Sequence, residues 1–268
     1  MSDRLQSRTR CDRLESRPAE QLWGNEQGDR HEAEAGSEAL NPPAPPEAAV
    51  RRRQRKRPDV GSVRFSERDR WVLAFIGEQY AISVRQLAQL IERGELTGAW
   101  LRTRWRDAGW VESRMLTKYG PSMLWLTREG VRVAQSPYRR WRPNVSLATH
   151  IEAVTNVRLL LERQLRLGEW CCERELARSL ASPERGCPHL PDGLLETGSE
   201  QIAVEVELTP KGRGRLTEIF AEVGENYSQV WYFAAPPLVR ILGALAAEAP
   251  RQNIIVHPYP PRPGDLFT

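Results

Sequence analysis

Residues 202–208, IAVEVEL, alternate without a break. A strand of that period puts Ile202, Val204, Val206 and Leu208 on one face and Ala203, Glu205 and Glu207 on the other. Two carboxylates on one strand face repel each other. They are tolerated on a solvated edge strand, or where a basic side chain or a metal cation offsets them. The preceding apolar run opens with Pro191, Asp192 and Gly193, so a third carboxylate, Asp192, can lie across the sheet from Glu205, and Lys211 follows six residues after Glu205. Such a set suits Mg²⁺, a hard cation that takes a few carboxylate oxygens and keeps water positions open. It would activate water for attack on a phosphodiester.

Outward from this strand the period changes back and forth. A helix is expected from about Ser146 to Leu167, carrying Ile151, Val154, Val157 or Arg158, Leu161 and Leu165 at helical spacing. Strands are expected at Trp170–Leu176 and Leu190–Glu196 before the alternating one. A helix follows over Arg213–Glu225, then a strand over Val230–Ala234, a helix over Leu238–Ala247 and a last strand over Asn253–His257. The order is α-β-β-β-α-β with an appended α-β.

Towards the N-terminus, Pro137–Pro143 (PYRRWRP) reads as a basic linker. Before it, Ser66 caps a helix with Trp71, Leu73, Ala74 and Ile76, and Ser83 opens a short helix with Leu87, Leu90 and Ile91 on one side. A third helix buries Leu101, Trp105 and Ala108. At about 100° per residue its opposite, wet face falls to Arg102, Thr103 and Arg106. Two strand-like runs, Trp110–Leu116 and Met123–Leu126, flank the turn Lys118-Tyr119-Gly120-Pro121, and a last helix starts at Thr127. Three short helices and a hairpin make a winged helix-turn-helix. Its third helix fits a DNA major groove, where arginines read guanine edges or hold phosphates, and Arg114 and Lys118 on the hairpin would meet the backbone. A protein-binding or dimerising module has the same element order.

The expected fold class is therefore α+β: an N-terminal winged helix-turn-helix (63–136), a linker (137–145) and a C-terminal α/β domain of restriction-endonuclease-like αβββαβ architecture (146–260), ending in a short tail (261–268). Residues 1–62 lack hydrophobic periodicity, include NPPAPPE at 41–47 and the basic run RRRQRKR at 51–57, and read as a disordered tail.

The motifs PDG (191–193) and VEVELTPK (204–211), on that element order, resemble the PD-(D/E)xK nuclease fold. By position the resemblance implies that Asp192 and Glu205 are metal ligands. The lysine that should orient water is replaced by Glu207, which leaves Lys211 to reach in from the strand–helix junction. The phrase from Gly109 to Gly130 resembles the wing and following helix of bacterial winged-helix regulators. Residues 64–257 as a whole, including the helix around His150, Ile151 and Glu152, resemble the replication-relaxation family of actinobacterial plasmids and mobile elements. That resemblance implies a role in plasmid replication, DNA relaxation or transfer. The alternatives are a Mg²⁺-dependent nuclease or nickase, and a winged-helix transcription regulator whose C-terminal domain is non-catalytic.

Charge supports a polyanionic partner. The chain's 268 residues carry 39 Lys and Arg against 35 Asp and Glu, but residues 51–143 hold 21 basic and 9 acidic side chains. Double-stranded DNA is the expected partner, with a second copy of the chain or replication and transfer proteins as further ones. No apolar run is long enough to span a membrane, the N-terminus has no signal-like apolar stretch, and four cysteines are too few for a disulfide framework. The expectation is a cytoplasmic, soluble protein with no membrane partner. No cofactor other than Mg²⁺ is suggested.

Cys171, Cys172, Cys187 and His189 raise a zinc reading. Adjacent strand cysteines point to opposite faces, so they read instead as small buried apolar residues and a loop cysteine. His150 reads as a cap or surface residue and Trp100 as part of the core.

Overall fold

Two reciprocal caps stand near the start of the described chain. A computed structural model describes residues 64–179, 189–198 and 200–266; the tail 1–62 with its basic run, and Cys187, lie outside the described residues. Ser66 and Asp69 form a capping box at the start of α1 (Glu67–Glu78), and Ser83 and Gln86 form another at α2 (Val84–Leu90). Gln86 does more than cap. Its Nε2 donates to the Glu152 carbonyl and to Asn156 Oδ1, each at 2.7 Å, which pins α2 to a helix 66 residues further on.

The third helix, α3 (Glu95–Asp107), buries Gly98, Leu101 and Trp105. Ala108, expected in that stripe, is the C-cap residue and only half-buried. A three-stranded antiparallel sheet follows: β1 (Ile82–Ser83) and β2 (Val111–Met115) flank β3 (Ser122–Leu126), with Ile82 opposite Leu124 and Val111 opposite Leu126. A short α4 (Arg128–Val133) closes this part.

Residues 137–144 form no regular element but are held in place. The Tyr138 hydroxyl donates to Glu175 at 3.0 Å, Arg140 donates to Glu112 at 2.6 Å, and Trp141 meets the Trp125 ring edge-on at 6.2 Å.

The C-terminal part is built on a five-stranded mixed sheet in the order β4 (Glu169–Cys172), β5 (Gly193–Glu196), β6 (Gln201–Glu207), β7 (Gln229–Ala234), β8 (Ile254–Pro258). The first three strands are antiparallel; β6, β7 and β8 run parallel. Parallel neighbours need crossovers, and α7 (Arg213–Asn226) and α8 (Pro236–Glu248) supply them. Ile202, Val204 and Val206 pack with Ala153, Val154 and Val157 of α5 (Val145–Arg158), while Ala203 packs with Ile219 and Phe220 of α7 and Leu242 of α8. The chain is thus α+β, with one antiparallel and one mixed sheet. Among the described residues no helix is long and apolar enough to cross a membrane.

Four expectations change. The run expected as a strand over Trp170–Leu176 pairs only to Cys172 and then turns into α6 (Glu173–Ser179). Glu173, Arg174 and Glu175 favour a helix, and Leu176 still reaches the core from it. The strand expected from Leu190 begins at Gly193, since Pro191 has no N–H to pair. The long helix is α-helical only to Arg158 and widens into a π turn over Leu159–Gln164, which keeps Leu159, Leu160 and Leu161 all buried. The residues read as a tail include a 3₁₀ turn, Pro263–Leu266, whose Leu266 packs on the sheet.

Gly193 is required by close approach: a Cβ there would stand 1.9 Å from the Trp170 ring, which lies across it from β4.

Candidate functional site

β6 is the central strand of its sheet, so the carboxylates on it are not on a solvated edge. Glu205 and Glu207 are both buried, 6 % and 4 % exposed. Each has a partner. His189 Nε2 lies 2.8 Å from Glu205 Oε1, and Lys211 Nζ lies 2.6 Å from Glu207 Oε2. Gly193 pairs with Val204, so one step along the same register brings Asp192 beside Glu205. Asp192 Oδ2 accepts the Val206 N–H at 2.8 Å, and its Oδ1 lies 2.8 Å from His150 Nε2. The residues expected to form a site, Asp192, Glu205, Glu207 and Lys211, are thus brought together around one strand end. Two unexpected histidines join them.

Electrostatics follow from that packing. Burial pushes the Glu205 carboxyl up to about 7; Asp192 adds to the rise, and the His189 bond and Lys211 oppose it. For His189 the bond to Glu205 raises the pKa above the ordinary value, against burial. For His150 burial works downward, but the bond to Asp192 and its charge outweigh it and the pKa is raised. The proton between Glu205 and His189 belongs to the pair. These groups can take up and release protons near neutral pH, as general acids and bases do.

The raised groups carry a sign. Between the ordinary carboxyl value of 4.5 and about 7, folded Glu205 holds a proton that the unfolded chain has released. Stability should therefore fall as pH rises through that window, and the raised histidines extend the fall above the ordinary imidazole value. Glu205→Gln should flatten the decline between about pH 5 and about pH 7 in thermal melts. An unchanged slope would remove Glu205 as its source.

The donor set leaves little room for a metal. Both oxygens of Asp192 are engaged, one by the Val206 N–H and one by His150, and Glu205 Oε1 is engaged by His189. Among the described residues no group of three or more His, Cys, Asp and Glu is arranged to hold a metal ion. As bonded, Asp192 and Glu205 do not fit Mg²⁺. Cys171 and Cys172 are buried in different cores, one on each side of the sheet.

The other candidate surface is α3 with the β2–β3 hairpin. Arg106 is exposed, its guanidinium 3.4 Å from neighbouring Asp107, while Arg102 and Thr103 are half-buried. The Thr103 hydroxyl turns back to the Ala99 carbonyl at 3.1 Å. The outermost face of α3 carries Leu96, 89 % exposed, and Trp100, 58 % exposed, so Trp100 is not a core residue. The helical period puts those two opposite Leu101 and Trp105, with the arginines at 102 and 106 to one side. Arg104, turned the other way, lies over the Trp100 ring at 5.4 Å and binds Asp69. On the hairpin, Arg114 and Lys118 are exposed, resting over the Trp125 and Tyr119 rings at 5.7 and 5.1 Å.

His189 and His150 were not found as site residues from sequence. His189 stands three residues before Asp192, and α5 carries His150 to the same place from 42 residues away. Only the first could have been suspected from spacing. Comparison with family models, curated proteins and solved structures found no match.

Proposed function

We propose that this chain is a DNA-binding protein of a plasmid or mobile element, acting in replication, DNA relaxation or transfer. In this reading residues 64–136 are a winged helix-turn-helix with α3 as its groove helix and the β2–β3 hairpin as its wing. The five-stranded sheet with α5 and α7 is a PD-(D/E)xK-like domain with α6 inserted between its first two strands. The observation that carries the reading is the division of α3: Gly98, Leu101 and Trp105 are sunk inward, while Arg106 remains exposed on the same short scaffold as Arg114 and Lys118. Exposed cations of this kind gain by releasing counterions from duplex DNA. The replication-relaxation resemblance supplies the biological context, and the excess of basic residues over 51–143 agrees with it.

Fluorescence anisotropy with duplex DNA at several salt concentrations tests this. Arg106→Ala/Arg114→Ala/Lys118→Ala should weaken binding at least about tenfold and lower the steepness of log K against log salt by about 2–3. Absence of duplex binding, or an unchanged slope in the triple variant, would instead favour a protein-binding module.

A second reading, in which the C-terminal domain binds or dimerises without cleaving, is favoured by one observation. Each site carboxylate is already bonded to a histidine or a lysine. The nuclease alternative requires those bonds to open. Supercoiled plasmid incubated with the protein and Mg²⁺ or Mn²⁺ should stay supercoiled. Nicking that Asp192→Ala abolishes would restore the metal-dependent nuclease.

A further inference from the structure

A cavity of about 240 Å³ opens beside α5, lined among others by Tyr80, Trp141, Leu147, His150, Glu173 and Asp192. It shares Asp192 and His150 with the carboxylate cluster, but its other walls come from the N-terminal part, from residues 137–144 and from α6. Three carboxylates line it, counting Glu78, and no lysine or arginine does. In a chain with 39 basic side chains such a wall selects for positive charge. Glu78 is occupied by Arg158 and Asp192 by His150, each at 2.8 Å, so Glu173 supplies the acidic character.

The aromatic walls narrow the ligand further. Tyr80 is held at φ +66°, a left-handed conformation that an aromatic residue adopts only when its surroundings impose it. Its hydroxyl donates to Glu173 Oε2 at 3.1 Å. Its ring stands 6.3 Å from that of Trp141 with 55° between the planes. Two rings so tilted make a corner, not a parallel slot for a flat base. Aromatic faces beside carboxylates attract organic cations, while the apolar walls, with no metal-holding group among the described residues, disfavour a bare ion. The volume equals the share of roughly eight waters, enough for a molecule of several heavy atoms.

We propose that this cavity binds a small alkylammonium or guanidinium compound of diamine size, its charged end against Glu173 and its stem along Tyr80, Trp141 and Leu147. The proposal does not depend on the DNA-binding reading.

Isothermal titration of the full chain with 1,4-diaminobutane, and separately with agmatine, tests it at constant ionic strength. One-to-one saturable binding is expected, with none for uncharged 1,4-butanediol. Glu173→Gln keeps an acceptor for the Tyr80 hydroxyl but removes the charge, and should weaken binding at least tenfold. Leu147→Lys, a change at a half-exposed rim position, places a tethered ammonium at the mouth and should weaken binding as strongly without touching the core. Three results would each overturn the proposal: no saturable heat with either cation, equal binding of butanediol, or binding that both variants retain at wild-type strength.

Discussion

Asp69→Ala is expected to lower the stability of the chain by about 3–5 kcal/mol, because it removes the acceptor on which the α1 cap and two side chains of α3 converge. Asp69 has no solvent exposure. Its Oδ2 accepts from the Ser66 N–H at 2.9 Å and the Ser66 hydroxyl at 2.7 Å, completing the α1 cap, and also binds the Arg104 guanidinium of α3. Its Oδ1 accepts from the Trp105 indole N–H at 3.0 Å. A lost cap alone costs about 1 kcal/mol. The larger part comes from taking the acceptor away from a fully buried indole N–H and the counter-charge away from a mostly buried guanidinium. Asp69→Asn keeps an acceptor of the same shape and loses only the charge, so it should fall between wild type and alanine. Urea unfolding followed by tryptophan fluorescence reads the difference. If alanine cost no more than asparagine, the acceptor for the indole would be unimportant and the charge would account for the whole loss.

That residue also marks where sequence reading stops. Ser66 was legible as a cap because an N-cap needs only its own helix. The bond from Asp69 to Trp105 spans 36 residues, and no local period announces it. The same boundary runs through the sheet. The alternation of residues 202–208 gave the two faces of β6 correctly, since Ile202, Val204 and Val206 lie in one core and Ala203 in the other. It could not say whether the glutamates were wet. Their burial comes from β5 and β7 on either side, a matter of strand order and not of pattern. Over Trp170–Leu176 a short apolar alternation was ambiguous between strand and helix, and the charged Glu173-Arg174-Glu175 stretch decided it locally. Trp100 was misplaced for a different reason. Burial is the usual fate of tryptophan, and only the direction of the Leu101–Trp105 stripe puts position 100 outside.

The candidate site shows how such long-range placement bears on function. In the simplest form of the PD-(D/E)xK motif invoked in the proposal, two carboxylates face an open position and a lysine stands two residues on. Here Glu207 takes that place, and the Lys211 ammonium closes on it from beyond the strand end. His150 and His189 then close on the two carboxylates. Each carboxylate in the cluster therefore has a bonding partner from within the chain. A fold that pairs its own acidic centre can keep its shape without a cation, and under the DNA-binding proposal contact rests on the arginines and lysine of the α3–hairpin surface.

Arg158→Ala should cost about as much as Asp69→Ala, about 3–5 kcal/mol, and by a mechanism that a second substitution can separate. Arg158 is buried at the end of α5. It pairs with Glu78 at the end of α1 and with Glu162 in the π turn, both at 2.8 Å, and lies 4.1 Å from the centroid of the Phe75 ring. Burial works against its charge, but Glu162 and Glu78 more than compensate, so it is held charged more firmly than a free arginine. Alanine removes the cation, leaves the two carboxylates facing each other, and opens a void against Phe75. Methionine restores most of the volume, and Glu78 and Glu162, each about a quarter exposed, can turn to water. Arg158→Met should therefore lose much less than Arg158→Ala. Lysine keeps the charge but not the planar fork that serves both acids and stacks on the ring, so it should lie between them. A double-mutant cycle of Arg158→Met with Glu78→Gln, read by urea unfolding, isolates the link between α1 and α5. A coupling near zero would mean that Phe75 packing, and not the ion pair, joins these helices.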